Sequence, residues 1–127
     1  MNPRNNREFS TDLERRTLQF AVRIIRLSAS LPNSPEANVI KNQMTKSGTS
    51  IGANYREANR ARSKADFRHK IKIAESEASE TIYWLEVIME ADFATKNSLA
   101  SLVQECRELL AIFTSIGKSV KLEVNFN

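Results

Sequence analysis

The chain has 127 residues, 41% apolar and 27% charged, with a net charge of +4. That length and balance fit one soluble globular domain and argue against a disordered chain. A single cysteine, Cys106, rules out an internal disulfide, and no apolar run approaches the roughly 18 residues that span a bilayer.

Residues 1–9 have no apolar run and read as a flexible arm rather than a signal peptide. The first helix is expected over about 11–31, with Thr11 and Glu14 as a capping box. Leu13, Phe20, Ile24, Leu27 and Leu31 recur at helical spacing, and Leu18, Ala21 and Ile25 are expected to widen that core stripe. Pro32 and Pro35 end it. Ser34 as N-cap, Pro35 at the first position and Glu36 in the first turn open a second helix over about 35–61. Its apolar positions are Val39, Ile40, Met44, Ile51, Tyr55 and Ala58. Gly48 and Gly52 each cost about 1 kcal/mol relative to Ala in a helix interior. They mark either a kink or a groove of small residues that lets a neighbouring helix approach.

Ser63, with Asp66 three residues on, caps a third helix over about 64–93. Phe67, Ile71, Ala74, Ala78, Ile82, Leu85 and Met89 form its core stripe. Ile73, Trp84, Ile88 and Ala91 fall on a separate flank, about 60–120° away at 100° per residue. That flank is either covered within the chain or is a subunit interface anchored by Trp84. A fourth helix over about 98–121 carries Leu99, Leu102, Cys106, Leu109, Phe113 and Ile116, and residues 122–127 read as a tail. Four long helices with short turns specify an all-α, up-down-up-down antiparallel four-helix bundle over residues 10–121.

That topology gathers the start of the first helix, the turn between the second and third, and the end of the fourth. Thirteen cations and six acids collect there, a net of +7, against −3 at the opposite end. Arg56, Arg60, Arg62, Lys64, Arg68, Lys70 and Lys72 dominate, the footprint expected of a phosphate-binding surface. The plain alternative is a solvated helix end whose arginines pair with nearby acids. Stacking aromatics are scarce there, so any nucleic-acid contact would be backbone-directed and weakly sequence-specific.

No catalytic site, metal site or cofactor site emerges. A carboxylate-bridged di-metal centre needs a Glu-x-x-His motif on each of two helices. The lone His69 has Asp66 three residues before it and lies among Arg68, Lys70 and Lys72. Neither a phosphate loop nor an activated hydroxyl is identifiable. The expectation is a non-enzymatic protein in a reduced cytoplasmic setting.

The segment Ser47-Gly-Thr-Ser-Ile-Gly-Ala-Asn-Tyr-Arg-Glu-Ala58, with Arg62-Ser-Lys-Ala-Asp-Phe67, Lys70-Ile-Lys-Ile-Ala-Glu-Ser-Glu-Ala78 and Glu80-Thr-Ile-Tyr-Trp-Leu85, resembles bacterial four-helix-bundle proteins first noted in intervening sequences of 23S ribosomal RNA genes. The resemblance covers about residues 10–120. It implies an antiparallel bundle assembled as a homopentamer, and kinship with accessory proteins of diversity-generating retroelements, which bind a reverse transcriptase and nucleic acid. It offers no catalytic residues. Asn54 and Glu57, in the Asn-Tyr-Arg-Glu segment, are expected to pair across helices as structural residues. Two functions follow: an oligomer binding RNA or DNA through its basic end, or a protein-interaction scaffold, for example for a reverse transcriptase.

Overall fold

The computed structural model describes residues 6–122, in which four helices follow one another: α1 (Asn6–Ser30), α2 (Pro35–Ala58), α3 (Lys64–Glu90) and α4 (Lys96–Ser119). Sequential neighbours pack antiparallel, α2 against α3 most extensively, and α1 meets α4 along the sparsest seam. This is the expected all-α four-helix bundle. Among the described residues no helix is long and apolar enough to cross a membrane.

Local chemistry sets most helix ends. Ser34 accepts a hydrogen bond from Ala37 N–H, with Pro35 at the first position of α2, and Ser63 accepts from Asp66 N–H to open α3. Thr95 does the same for α4 by accepting from Ser98 N–H, so that helix starts two residues before the expected Ser98. α1 begins at Asn6, not near Thr11: nothing between Asn6 and Ser10 breaks a helix, and Phe9 lies one turn before Leu13 on the same side. α2 stops at Ala58, where Arg60 N–H and Ala61 N–H turn back to the carbonyls of Glu57 and Ala58.

α3 ends in a Schellman arrangement. Asp92 takes φ 60°, its N–H donates to Met89 O, and Phe93 N–H donates to Ile88 O. The turn points Phe93 back at the core.

Gly48 and Gly52 are both buried within an unbroken α2. A Cβ at Gly48 would lie 2.9 Å from Ile24 Cγ1, and one at Gly52 would lie 2.9 Å from Thr17 Oγ1. The missing side chains therefore let α1 lie directly on α2. This close approach turns Thr17 and Ile24 toward α2, and it redirects two residues expected in the core. Leu18 and Ile25, about 100° beyond them on the helical wheel, are 51% and 50% exposed. Val39 faces away from the Gly48 side of α2 and is likewise exposed.

The core joins all four helices. Phe20, Ile24, Met44, Ile51, Ile71, Leu85, Leu99 and Leu109 are buried, and Tyr55 meets Phe113 edge-on across the bundle at 5.4 Å. Its few polar groups are satisfied. Thr81 donates to Ser47 Oγ at 2.8 Å, and Ser47 donates to Met44 O. Among the described residues no buried side-chain polar atom lacks a partner.

Candidate nucleic-acid interface

The seven cations expected to form one surface divide into two groups. Arg56 lies 3.6 Å from Glu14 of α1, Lys70 lies 3.6 Å from Glu57 of α2, and Lys72 lies 3.4 Å from Glu75 one turn along α3. Arg60, Arg62, Lys64 and Arg68 make no ion pair with any described residue; the first three are exposed and Arg68 is half-buried. The pairing reduces the available charge without removing it.

The antiparallel fold adds cations from another segment. Ala61, Arg62, Ser63, Lys64 and Phe67 line a shallow cavity of about 540 Å³ together with Ser119, Val120 and Lys121 from the end of α4. The α3 wheel places Lys64, Arg68 and Lys72 along the flank facing α4, where Lys72 Cε would sit 3.3 Å from a Cβ at Gly117. Lys118 also acts on Glu75 through space. Arg62, Lys64, Arg68, Lys118 and Lys121 therefore share the α3–α4 edge of this end. Lys118 and Lys121 are already among the thirteen cations that the expected topology gathers at this end, though not among the 56–72 residues singled out as the binding cluster. Arg4 and Glu123, counted at this end in the sequence, lie outside the described residues.

Glu75 accepts a hydrogen bond from the Thr114 hydroxyl and sits beside Lys72, and its carboxyl is held below the usual range, chiefly by the Thr114 bond. A bidentate ion pair lies elsewhere, on the α1–α4 seam. Arg16 donates to both oxygens of Glu105 at 2.7 and 2.8 Å and to Glu108 at 2.8 Å. The Glu105 bonds raise the guanidinium pKa further. Nothing local in the sequence marks this clamp.

The proposed structural pair also divides. Glu57 reaches α3 through Lys70, but Asn54 donates to Ser50 O within its own helix, so it does not pair across helices. The suggested interface flank on α3 is not one face either. Ile88 is fully buried in the core of its own chain, because the buried stripe of α3 extends through Thr81 and Ile88. Ile73 and Trp84 are half-buried, with the Trp84 indole N–H donating to Glu80, and Ala91 is the exposed cap residue of α3. Among the described residues no group of three or more His, Cys, Asp or Glu side chains is arranged to hold a metal ion.

The family model described as 23S rRNA-intervening sequence protein matches residues 11–115. The chain belongs to that family. Its bundle resembles the 1.70 Å crystal structure of a protein of unknown function from the S23 ribosomal protein family of Bacteroides thetaiotaomicron VPI-5482. The two are 42% identical with a TM-score of 0.78, over 84% of this chain and 98% of the other. No curated protein matches the chain. For this family of intervening-sequence proteins the molecular function is not known, so the residues themselves carry the functional argument.

Proposed function

We propose that this family member is a non-enzymatic protein that binds the phosphate backbone of RNA or DNA through its basic end. The supporting observation is the convergence of Arg62, Lys64 and Arg68 with Lys118 and Lys121 from α4, next to Arg60 on the α2–α3 turn; none of Arg60, Arg62, Lys64 and Arg68 is held by a described carboxylate. Flexible exposed cations on a helical turn suit phosphate oxygens. The aromatics near them, Tyr55 and Phe67, pack into the protein instead of offering faces to bases.

A filter-binding titration tests this reading. Contact with about six phosphates lowers affinity roughly a thousandfold between about 50 and 200 mM salt. Replacing Arg60, Arg62 and Arg68 together with alanine flattens that slope and weakens binding to all sequences alike. Binding that ignores salt, or survives the triple substitution, removes the proposal.

A second reading, a protein-interaction scaffold, is favoured by a different observation. Leu18, Val22 and Ile25 form an exposed apolar row along the outside of α1. Under it, self-association, or docking of a partner such as a reverse transcriptase, uses α1 in place of the α3 flank. Light scattering that returns the mass of one 14.4 kDa chain removes the homopentamer. A partner pull-down that survives nuclease treatment supports the scaffold.

A further inference from the structure

We propose that the bundle end opposite the basic turn seats the C-terminal residue of a partner polypeptide, its apolar side chain on a floor of leucines and its α-carboxylate between Arg23 and Arg26. The seat is a shallow cavity of about 450 Å³ where the last turns of α1 meet the α3–α4 turn and the start of α4. Leu27, Leu31, Phe93, Ala94 and Leu102 form its apolar lining, and Arg23, Arg26, Ser30 and Ser98 its polar lining. α1 and α4 share the sparsest seam of the bundle, and the core is open there. Leu31 and Leu102 are buried, while Leu27 and Phe93 stay half-buried although both pack against the core.

Charge selects the occupant. Arg23 donates to a neutral group, Ser101 Oγ, at 2.9 Å. The Arg26 guanidinium is exposed and has no hydrogen-bond or ion-pair partner among the described residues. Acids outnumber cations at this end, yet no described carboxylate pairs with either arginine. The first turn of α4 adds Lys96 and no acid. Two guanidiniums beside an apolar floor, with no counterion, complement one carboxylate attached to an apolar group.

Spacing narrows the occupant to a chain end. Arg23 and Arg26 stand four and one residues before Leu27 on α1, and Ser101, which holds Arg23, adjoins Leu102. The ligand must therefore carry its charge immediately beside its apolar group. A C-terminal residue bears both on one Cα, whereas neighbouring side chains of an extended internal segment point to opposite faces. Capture of a terminal carboxylate in this way is a known mode of peptide recognition. The inference does not rest on nucleic-acid binding, which uses the other end of the bundle.

An NMR titration of backbone amides tests it, with the peptide Gly-Ser-Gly-Ser-Gly-Leu carrying a free C-terminal carboxylate. The amides of Leu27, Phe93 and Leu102 are expected to shift saturably. Amidating the peptide's C-terminus, or ending it in serine, is expected to weaken binding by at least about tenfold. Arg23→Gln combined with Arg26→Gln is expected to weaken the free acid to the same degree and to leave the amidated peptide unchanged. The peptide controls use the unaltered protein, so a folding defect in the double variant leaves the test intact. Equal binding of acid and amide, equal binding of the leucine and serine ends, shifts confined to other parts of the bundle, or no shifts at all overturn the proposal.

Discussion

Replacing Gly48 with alanine sets two effects of known sign against each other. Alanine improves an exposed helix interior by about 1 kcal/mol over glycine. Here, however, the new Cβ would lie 2.9 and 3.0 Å from the two Cγ atoms of Ile24 and 3.3 Å from its Cβ. Ile24 is fully buried, and a β-branched side chain in a helix has essentially one χ1 setting. The clash can be relieved only by moving α1 away from α2, which loosens the core behind both. Overpacking of this kind costs about 1–3 kcal/mol, and a wall that cannot turn places it in the upper half of that range. The net loss is about 1–2 kcal/mol, or about 4–8 °C in the midpoint for a domain of this size. Gly117→Ala is the internal control. Its Cβ would meet the flexible end of Lys72 at 3.3 Å, which can swing aside, so the propensity gain survives and the midpoint rises by about 2–4 °C. Thermal unfolding followed by circular dichroism reads both. A Gly48→Ala protein as stable as the parent would refute the close-packed α1–α2 seam.

Asp92→Gly should stabilise the protein by about 0.5–1 kcal/mol in urea unfolding, because glycine adopts φ 60° without the Cβ penalty. Arg16→Ala should cost about 1 kcal/mol after allowance for its partial exposure, and Arg16→Lys should recover less than half, since a lysine cannot span both oxygens of Glu105. Burial pushes the Cys106 thiol up to about 12 from an ordinary 9.0. The unfolded thiol therefore ionises first as pH rises, and its contribution to stability, complete below about pH 9, is lost between there and pH 12. Cys106→Ala should remove that part of the alkaline loss, and Ellman's reagent should label the native protein only as fast as it opens. The Glu75 carboxyl is depressed, so its contribution is present above the ordinary carboxylate range and is lost as pH falls; Thr114→Val should shrink that acid-side slope.

What could be read from the residues alone was what depends on near neighbours. Ser34 and Ser63 announce α2 and α3 because an N-cap acts on an amide three positions away, and the spacing of Gly48 and Gly52 marks a contact face because helices repeat every 3.6 residues. The start of α1 was misplaced because Thr11 and Glu14 have the form of a capping box, and only the continuing helix back to Asn6 shows it unused. The outward turn of Leu18 and Ile25 follows from where α2 lies, which periodicity within α1 does not encode. Ile88 was assigned to a flank because a fixed angular cut-off excluded it from a core stripe that is wider in the folded chain. Arg16 was counted among the thirteen cations of the basic end, and its partners stand 89 and 92 residues away on α4, beyond the reach of any local pattern. Of the candidate interface, the cluster at the α2–α3 turn was visible in the linear sequence, and the α4 lysines were placed at the same end only because four long helices with short turns imply an antiparallel bundle.

The first helix is fastened differently along its two edges. On one side backbone touches side chain with no gap, with only the loose Arg56–Glu14 pair at its end; on the other, much of the grip comes from a single guanidinium held by two carboxylates at the surface. Concentrated electrolyte weakens the second edge more than the first, whose glycine contacts carry no charge. The domain should therefore open like a book along its glycine spine, and amides of α1 and α4 should lose hydrogen-exchange protection in brine before those buried between α2 and α3.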